Sequence, residues 1–493
     1  MPRTSSPDRV VVPTRADPVA AAASEVIGGP LGRYAVALAK GWRYYAAVLG
    51  AASAIPMGLA VLERTHCINS GWSTPDQFWH ACFSDLPATY KDNGLGVGLG
   101  PFLTGGFASP TVAQPPLTGF VMSLLAQLVP SSTDIGGRMV FYFGLWAGLA
   151  ALLLVLTVWW TAASVRAFPL RAAHVALSPV VVLTIVVAPD ILGVALLSAA
   201  LYTWSRERLI LCGLLLGLAA SARTYPLLVL AALLVVCLRA GKLLVWARVA
   251  AATLAAFGGV LALFGFLNPG AAFIAYRGWA AGGAGFGSPW VLPQLGGHPL
   301  PTAAVTGLAV LGIFVALGVG GVFALSSPRR PGVAEVSLVM VGLVLVTGKS
   351  MPVQSSLWLV PLVALVGLRW KDHLLWAGAE ALSFLAVWLY IAAISVPDRG
   401  LPAEWYCVFL LVRLAGVGWL IHRTWHVARS RWPDVRESVA ERRLAAEESG
   451  HPLPADVLAE LEAADAQIAR EADPDELAGP IRGSRDRLII RFT

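Results

Sequence analysis

Long apolar runs separated by short basic turns make up most of this 493-residue chain. Several runs are shorter than the roughly 20 residues that a helix needs to cross a bilayer at right angles. The pattern predicts an all-α polytopic membrane protein in which short helices pack inside a bundle. The thirteen runs are 44–62, 115–130, 140–163, 172–188, 191–204, 209–222, 225–239, 249–267, 304–325, 333–348, 356–369, 374–394 and 404–421.

The basic turns indicate which runs cross the membrane. Arg33, Lys40 and Arg43 precede the first run and place that side in the cytoplasm, because cytoplasmic loops carry an excess of Lys and Arg. The later basic turns also lie in the cytoplasm if the run 115–130 does not cross. Its Pro115-Pro116 start and modest length suit a re-entrant or interfacial segment. We therefore predict about twelve transmembrane helices, both termini in the cytoplasm, and a large first extracytoplasmic loop with juxtamembrane helices.

The composition supports this class of protein. Hydrophobic residues make up 57% of the chain and charged residues only 13%, whereas about a quarter of the residues in soluble domains are charged. The net charge of +7 does not indicate nucleic acid, because the basic residues lie in turns between apolar runs, where they set the topology. The expected partners therefore include membrane lipids and no nucleic acid.

Both ends of the chain differ from its apolar middle. The N-terminal segment is rich in Ala, Pro, Ser and Arg, and the first apolar run begins near Tyr44, too late for a secretory signal peptide. We expect a mostly disordered cytoplasmic tail there. The charged C-terminal tail should contain amphipathic helices around 433–447 and 454–471 and act as a solvated appendage or a partner-docking tail. The predicted units are thus residues 1–40, 41–422 and 423–493.

The first long polar loop, Glu63–Pro116, lies outside under this topology. It contains Cys67 and Cys82, which can form a disulfide if the loop faces an oxidising compartment. The remaining cysteines lie in apolar runs and are expected to be packing residues; they are Cys212, Cys237 and Cys407.

Asp85 is the candidate catalytic residue of this loop. It lies in the segment Ser84-Asp85-Leu86-Pro87-Ala88-Thr89-Tyr90. A carboxylate in a membrane-facing cleft can act as a general base toward a sugar hydroxyl, since low dielectric raises its pKa. The alternative is a solvated loop acid or a helix cap.

Three further ionisable residues fall on the same side. Asp190 lies between two apolar runs, where an ionisable residue is costly and usually functional. The competing role is the N-cap of the helix after Pro189, and the two roles are compatible. Arg223 and Lys349 lie outside the basic turns and suggest an anionic ligand such as a lipid phosphate. Alternatively, each pairs with Asp85 or Asp190 or reaches the lipid headgroups.

Arg277 and His298, in the outer loop 268–299, are additional candidates for substrate binding. His66, His80 and His298 show no mutual ligand spacing, so we expect no closed structural metal site. The sequence leaves open whether Asp85 holds a divalent cation. The cytoplasmic turns contain no phosphate-cradling Gly-rich loop and no nucleophile elbow, which argues against nucleotide chemistry on that side.

Five short motifs follow one another along the apolar part of the chain. They are Asp85…Tyr90…Gly94, Gln114-Pro115-Pro116-Leu117, Pro189-Asp190-Ile191-Leu192, Ala222-Arg223-Thr224-Tyr225-Pro226 and Lys349–Pro361, which includes Gln354 and Trp358. In this order they resemble the GT-C-fold glycosyltransferases that use polyprenyl-phosphate sugars, and among them the actinobacterial mannosyltransferases of glycosyltransferase family 87. The resemblance covers about residues 40–422. This chain departs from the family at Gln114, where an acid is expected, at Arg223, where Lys is commoner, and at Met351, which replaces an aromatic residue.

The resemblance implies an inverting transfer at the outer face of the plasma membrane. The donor would be a polyprenyl-phosphate sugar such as the mannose derivative, and the acceptor a cell-envelope glycolipid, polysaccharide or glycoprotein. Asp85 would be the base, and Arg223 and Lys349 would hold the lipid phosphate, with Tyr90, Asp190 and Gln354 in the same donor site.

Two other classes of function remain compatible with the sequence. Intramembrane Asp190 and Arg223 could line the path of a transporter or lipid flippase. Against that, no internal repeat is visible, and the polar residues collect on one face. The third reading is a non-catalytic scaffold whose tails recruit cell-envelope enzymes.

Overall fold

The computed structural model describes residues 41–93, 95–104, 112–131, 134–397, 399–430 and 476–490. The expected N-terminal tail and the helices expected around 433–447 and 454–471 lie outside these residues, as does Gly94. Across the described ranges the regular secondary structure is helical, and no strand occurs in them. Within the described ranges, six helical segments are long and apolar enough to cross a membrane. The chain is therefore a helical membrane protein.

The first part of the described chain contains ten α-helices, several of them short. Among them, α3 and α4 lie in the first loop near Cys67 and Cys82, and α5 begins at Asp85. They are α1 (Trp42–Ala52), α2 (Ala54–Glu63), α3 (Thr65–Ser70), α4 (Asp76–Trp79), α5 (Asp85–Asp92), α6 (Gly100–Thr104), α7 (Pro116–Ala126), α8 (Ile135–Ser164), α9 (Ala173–Ala176) and α10 (Pro179–Thr184).

Longer helices dominate the rest of the described chain. They are α11 (Ile191–Ser205), α12 (Leu209–Ala222), α13 (Pro226–Arg239), α14 (Leu243–Leu267), α15 (Pro269–Ala281), α16 (Val291–Leu295), α17 (Thr302–Ser326), α18 (Val333–Thr347), α19 (Val360–Val366), α20 (Trp370–Ser395) and α21 (Ala403–Ser430). Short 3₁₀ segments cover Leu95–Val97, Pro169–Ala172, Val353–Trp358 and Glu476–Ile481.

Each of the thirteen predicted apolar runs coincides with helical structure. The segments long enough to cross are Trp42–Glu63 (α1 with α2), α8, α14, α17, α20 and α21. The shorter apolar segments are α7, Pro169–Thr184, α11, α12, α13, α18 and Val353–Val366. Twelve crossings would require all of these except α7 to cross as well, and that number stays a prediction.

Helix α7 corresponds to the run that we expected not to cross. Its 11 residues extend about 16 Å, roughly half of the hydrocarbon thickness of about 30 Å. It packs against α8, α12, α14 and α15. The Thr118 hydroxyl donates to the Ala222 carbonyl at 2.9 Å, which attaches α7 beside Arg223.

Two glycines allow α12 and α14 to pack closely. A Cβ at Gly213 would lie 2.4 Å from the Val249 carbonyl oxygen, and one at Gly217 would lie 2.5 Å from the Thr253 carbonyl oxygen. Small residues four apart are a common way for membrane helices to bring their backbones into contact. This contact fixes the C-terminal end of α12, where Arg223 follows.

A disulfide joins Cys67 on α3 to Cys82. Between them, Phe78 stacks on Trp388 of α20 with ring centroids 5.9 Å apart, and the Trp79 indole donates to the Arg399 carbonyl at 2.9 Å. The disulfide and these aromatic contacts hold the start of the first loop against α20.

The last described residues dock onto the chain itself. Asp486 forms ion pairs of 2.7 Å with Arg239 and with Arg330, and the Trp204 indole donates to the Leu477 carbonyl at 2.8 Å. This segment is therefore not a solvated appendage. In addition, α21 continues to Ser430, so the expected domain boundary at 422 falls inside a helix.

Candidate functional site

Asp190 and Arg223 form a buried ion pair. The Arg223 Nε donates to Asp190 Oδ1 at 2.9 Å and Nη2 donates to Oδ2 at 2.7 Å. The Asp190 side chain is 2% exposed and that of Arg223 is 11% exposed. Asp190 occupies the N-cap position of α11, but its side chain makes no capping hydrogen bond. Asp190 is therefore the N-cap residue by position but does not cap with its side chain, and its carboxylate binds Arg223 instead.

Two more motif segments complete this cluster. The Trp358 indole donates to Asp190 Oδ1 at 2.7 Å, and its ring stacks on Tyr225 with a centroid separation of 4.5 Å. Gln114 Oε1 accepts a hydrogen bond of 2.7 Å from Arg223 Nη1. Segments far apart in the sequence thus meet at one polar cluster, which we define as Gln114, Asp190, Arg223, Tyr225 and Trp358.

Local structure fixes Asp85 beside this cluster. The Ser84 hydroxyl accepts from the Leu86 N–H at 3.3 Å, as the N-cap of α5, and donates to the Val186 carbonyl at 2.7 Å. The Asp85 N–H donates to the Val187 carbonyl at 2.7 Å. These bonds attach the first residue of α5 to the backbone just before Asp190.

Asp85 and Asp190 have different electrostatic environments. The pKa of Asp85 is raised to about 6, because burial and then the charge of Asp190 raise it by more than Arg223 lowers it. Asp190 is neutralised by its bidentate contact with Arg223, whereas the Asp85 carboxylate accepts no hydrogen bond from the described residues. A carboxylate that ionises near neutral pH and is not neutralised by a partner can act as a general base.

Arg223 has few donors left for a ligand. A guanidinium has five N–H groups, and four of them are used by Asp190, Gln114 and the Ala222 carbonyl. The amide N–H₂ of Gln114 has no acceptor among the described residues. An anionic ligand could therefore take one N–H from Arg223 and the amide of Gln114.

Lys349 has a different environment. Its ammonium donates to the carbonyls of Trp279 and Gly282 at 2.8 Å and of Ala280 at 3.2 Å, at the C-terminal end of α15. The residue is buried, and Nζ lies 4.7 Å from the centroid of the Trp279 ring. All three ammonium hydrogens are thus occupied, so Lys349 caps a helix and has no donor free for a phosphate in this conformation.

Tyr90 is a packing residue of the first loop. It is buried, its hydroxyl accepts from Arg138 Nε at 3.0 Å, and its ring lies 4.9 Å from that of Tyr142. Gln354 is half-buried in the same 3₁₀ segment as Trp358. Tyr90 therefore holds α5 against α8. Gln354 precedes Trp358, a member of the polar cluster, by four positions in the sequence.

Arg277 and His298 lie at the surface. Arg277 is an exposed residue of α15, and exposed His298 follows α16, where its N–H donates to the Pro293 carbonyl at 2.8 Å. Their participation in substrate binding stays a prediction.

A second buried ion pair, Glu380 with Arg413, was missed by the sequence analysis. Arg413 Nε donates to Glu380 Oε2 at 2.8 Å, and the Ser356 hydroxyl donates to the same oxygen at 2.6 Å. Arg413 also donates to the Pro352 carbonyl at 3.1 Å. The pair therefore anchors the segment that carries Trp358. The sequence contained a signal for this pair, because Glu380 and Arg413 are ionisable residues inside the apolar runs 374–394 and 404–421.

The structure also brings His66 and His80 together around Asp76. One ligand atom from each of the three residues lies within 4.8 Å of the others. The sequence spacing of the histidines did not indicate this proximity, while the expectation that they form no closed structural metal site stays a prediction. It considered only histidines and their spacing, whereas folding of the disulfide-closed loop adds a carboxylate and places α3 beside α4.

Comparison of the chain with protein-family models, with curated proteins and with solved structures gives no match in any of the three.

Proposed function

We propose that this protein is an integral membrane glycosyltransferase that transfers a sugar, with mannose the first candidate, from a polyprenyl-phosphate donor to a cell-envelope acceptor. The single observation that carries the proposal is the half-buried Asp85, with a pKa of about 6, beside the Asp190–Arg223 pair. The motif resemblance supplies the reaction class. The predicted topology puts the site at the outer face of the plasma membrane.

The proposed reaction is one inverting displacement. Asp85 takes the proton of an acceptor hydroxyl, whose oxygen attacks the anomeric carbon from the face opposite the phosphate. The bond between that carbon and the phosphate oxygen breaks, and the lipid monophosphate leaves. Asp190 holds the guanidinium of Arg223 in place, so that its remaining N–H and the Gln114 amide can stabilise the leaving phosphate.

The test is a transfer assay with purified protein in liposomes, several polyprenyl-phosphate sugars and extracted envelope glycolipids. Asp85→Asn keeps the size of the side chain but removes the base, and loss of a general base costs about two to four orders of magnitude in rate. Asp92→Asn is the matched control, because Asp92 is an exposed acid on the same helix α5. Near wild-type transfer by Asp85→Asn, or equal losses in the two variants, would reject the proposed base.

Arg223 provides a separate test of donor binding. Arg223→Gln should raise the donor KM, since it removes a charge-assisted contact to phosphate. Lys91→Gln, at an exposed cation of α5, should leave the donor KM unchanged. If both variants have the same donor KM as the wild type, the phosphate must be held by other groups.

A carrier is the second candidate, and the Glu380–Arg413 pair is the observation that favours it, because it lies within two candidate spans. The contacts of the pair are nevertheless fully used: Glu380 accepts from Ser356, Trp376 and Arg413. Such a network suits an anchor better than a path along which charge moves. Flux of lipid-linked sugar across liposomes in the absence of an acceptor would support the carrier instead.

A further inference from the structure

His66, Asp76 and His80 form a polar cluster that the proposed transfer does not use. His66 Nε2 lies 2.7 Å from Asp76 Oδ2, and His80 Nδ1 lies 3.3 Å from Asp76 Oδ1. The two imidazole rings stack with centroids 3.5 Å apart. One ligand atom from each of the three side chains thus lies within 4.8 Å of the others, at the surface of the first loop.

We infer that these three residues form a binding site for a divalent transition-metal ion, with zinc the first candidate. Imidazole nitrogen and carboxylate oxygen are the ligands that zinc, nickel and copper ions prefer in proteins, whereas magnesium and calcium prefer oxygen alone. Two histidines and one carboxylate also make up the protein ligands of many open zinc sites.

The distances between the ligand atoms are compatible with a metal once the two stacked imidazole rings turn so that their planes converge on the ion. Zinc binds histidine nitrogen at about 2.0–2.1 Å and carboxylate oxygen at about 2.0–2.2 Å. Ligand atoms arranged tetrahedrally at such distances are about 3.3 Å apart. His80 Nδ1 lies 3.3 Å from Asp76 Oδ1, a separation that already has this value, and His66 Nε2 lies 2.7 Å from the other oxygen, Oδ2. With one ligand atom from each residue, all three atoms lie within 4.8 Å of one another.

The surrounding loop is held in place from two sides. Cys67, next to His66 in the sequence, is joined to Cys82, two residues after His80. Trp79 donates to the Arg399 carbonyl, which ties α4 to the chain after α20. The ligand geometry therefore depends on a cross-linked scaffold and not on a free loop.

The site is open to solvent. The side chains of His66, Asp76 and His80 are 36%, 32% and 46% exposed. Three protein ligands leave at least one coordination position for water or for an external oxygen ligand. The alternative is a hydrogen-bonded triad without metal, in which His66 donates to Asp76 and His80 Nδ1 donates to the Asp76 carbonyl oxygen at 3.1 Å.

The experiment is a metal titration of full-length protein purified without a histidine tag and stripped with a chelator. His422 and His426 are exposed and lie one turn apart on α21, so both are replaced by Ala in every sample. Zinc should bind at one ion per chain. The cobalt-loaded protein should show visible absorption typical of nitrogen and oxygen ligands without thiolate bands.

His66→Ala, Asp76→Asn and His80→Ala should each abolish this binding or weaken it strongly. Loss of a hydrogen-bond partner of a metal ligand costs about 10- to 100-fold in affinity, and loss of the ligand itself should cost at least as much. His298→Ala, at another exposed histidine, should leave the affinity unchanged. A count of three free thiols under denaturing, non-reducing conditions verifies that each variant retains the Cys67–Cys82 bond.

Two results would overturn the inference. One is the absence of stoichiometric binding to the parent protein, which would leave the hydrogen-bonded triad as the structure of this cluster. The other is binding that is equally strong in the three ligand variants, which would place the metal elsewhere. Because transfer activity is not the readout, failure of the glycosyltransferase proposal would not affect this test.

Discussion

Arg223 binds Asp190 through two parallel hydrogen bonds of 2.9 and 2.7 Å, although the two residues are 33 positions apart. One lies between α12 and α13 and the other at the start of α11. The pair is nearly buried. Asp190 follows the backbone to which Asp85 is hydrogen-bonded, and its carboxylate accepts from Trp358 of the 3₁₀ segment Val353–Trp358. It therefore organises the candidate site as well as supplying charge to it.

Asp190→Asn should destabilise the protein. Removing one partner of a buried ion pair leaves the other charge uncompensated, which typically costs about 3–5 kcal/mol. The lower end of that range applies here, since Arg223 retains some exposure and keeps its bonds to Gln114 and Ala222. Thermal unfolding in detergent measures the change. Asp92→Asn should have the unfolding temperature of the wild type, and equal temperatures for all three proteins would show that the pair contributes little.

The transfer rate should depend on pH through Asp85. The base must be ionised, and burial raises its pKa to about 6. The rate should therefore be nearly constant above about pH 7 and, well below pH 6, fall about tenfold per pH unit as the carboxylate becomes protonated. Asp190→Asn removes a negative charge that raises this pKa, so its profile should shift to lower pH. A shift to higher pH in that variant would contradict the assignment of the titrating group.

Lys349→Met should lower the stability of the protein and leave donor binding nearly unchanged. The ammonium caps the C-terminal end of α15, and cations at helix C-termini contribute about 0.3–2 kcal/mol. We expect a lower unfolding temperature and a donor KM close to that of the wild type. A large rise in the donor KM at unchanged stability would restore the role in phosphate binding that the sequence suggested.

The predicted topology places exposed His298 outside and exposed Arg329 in the cytoplasm. In a Cys407→Ser background, a membrane-impermeant maleimide should label His298→Cys in intact cells and should label Arg329→Cys only after permeabilisation. Cys212 and Cys237 are buried and should not react. Labelling of Arg329→Cys from outside would contradict the predicted cytoplasmic position of Arg329, and with it the predicted set of membrane crossings before that residue.

Asp486→Asn should release the C-terminal segment. Asp486 links Arg239, which is fully buried, to Arg330. Its loss leaves Arg239 with backbone carbonyl acceptors only. Limited proteolysis should therefore cut the variant near residue 480 faster than the wild type. Arg485→Gln, at a neighbouring exposed residue, is the control. Equal cleavage rates in the three proteins would mean that this ion pair does not hold the segment.

The sequence by itself determined the helical membrane class and the position of every predicted apolar helix, because hydrophobic length and the placement of charged turns are local properties of a chain in a bilayer. It also selected Asp190 and Arg223 as candidates, since ionisable residues beside apolar runs are costly and stand out by composition. Asp85 was selected from the polar first loop, by its spacing to Tyr90 and the motif resemblance. Which of these residues pair was left open.

Only the tertiary structure decided how the selected residues are used. Lys349 and Arg223 have similar sequence contexts, yet Lys349 caps α15 while Arg223 binds Asp190. Packing alone brings together two further groups. One is Glu380 with Arg413, and the other is His66 with Asp76 and His80. A hydrogen bond or a shared ligand position depends on distances of a few tenths of an ångström between distant segments, and those distances follow from helix packing and loop cross-links that no local pattern contains.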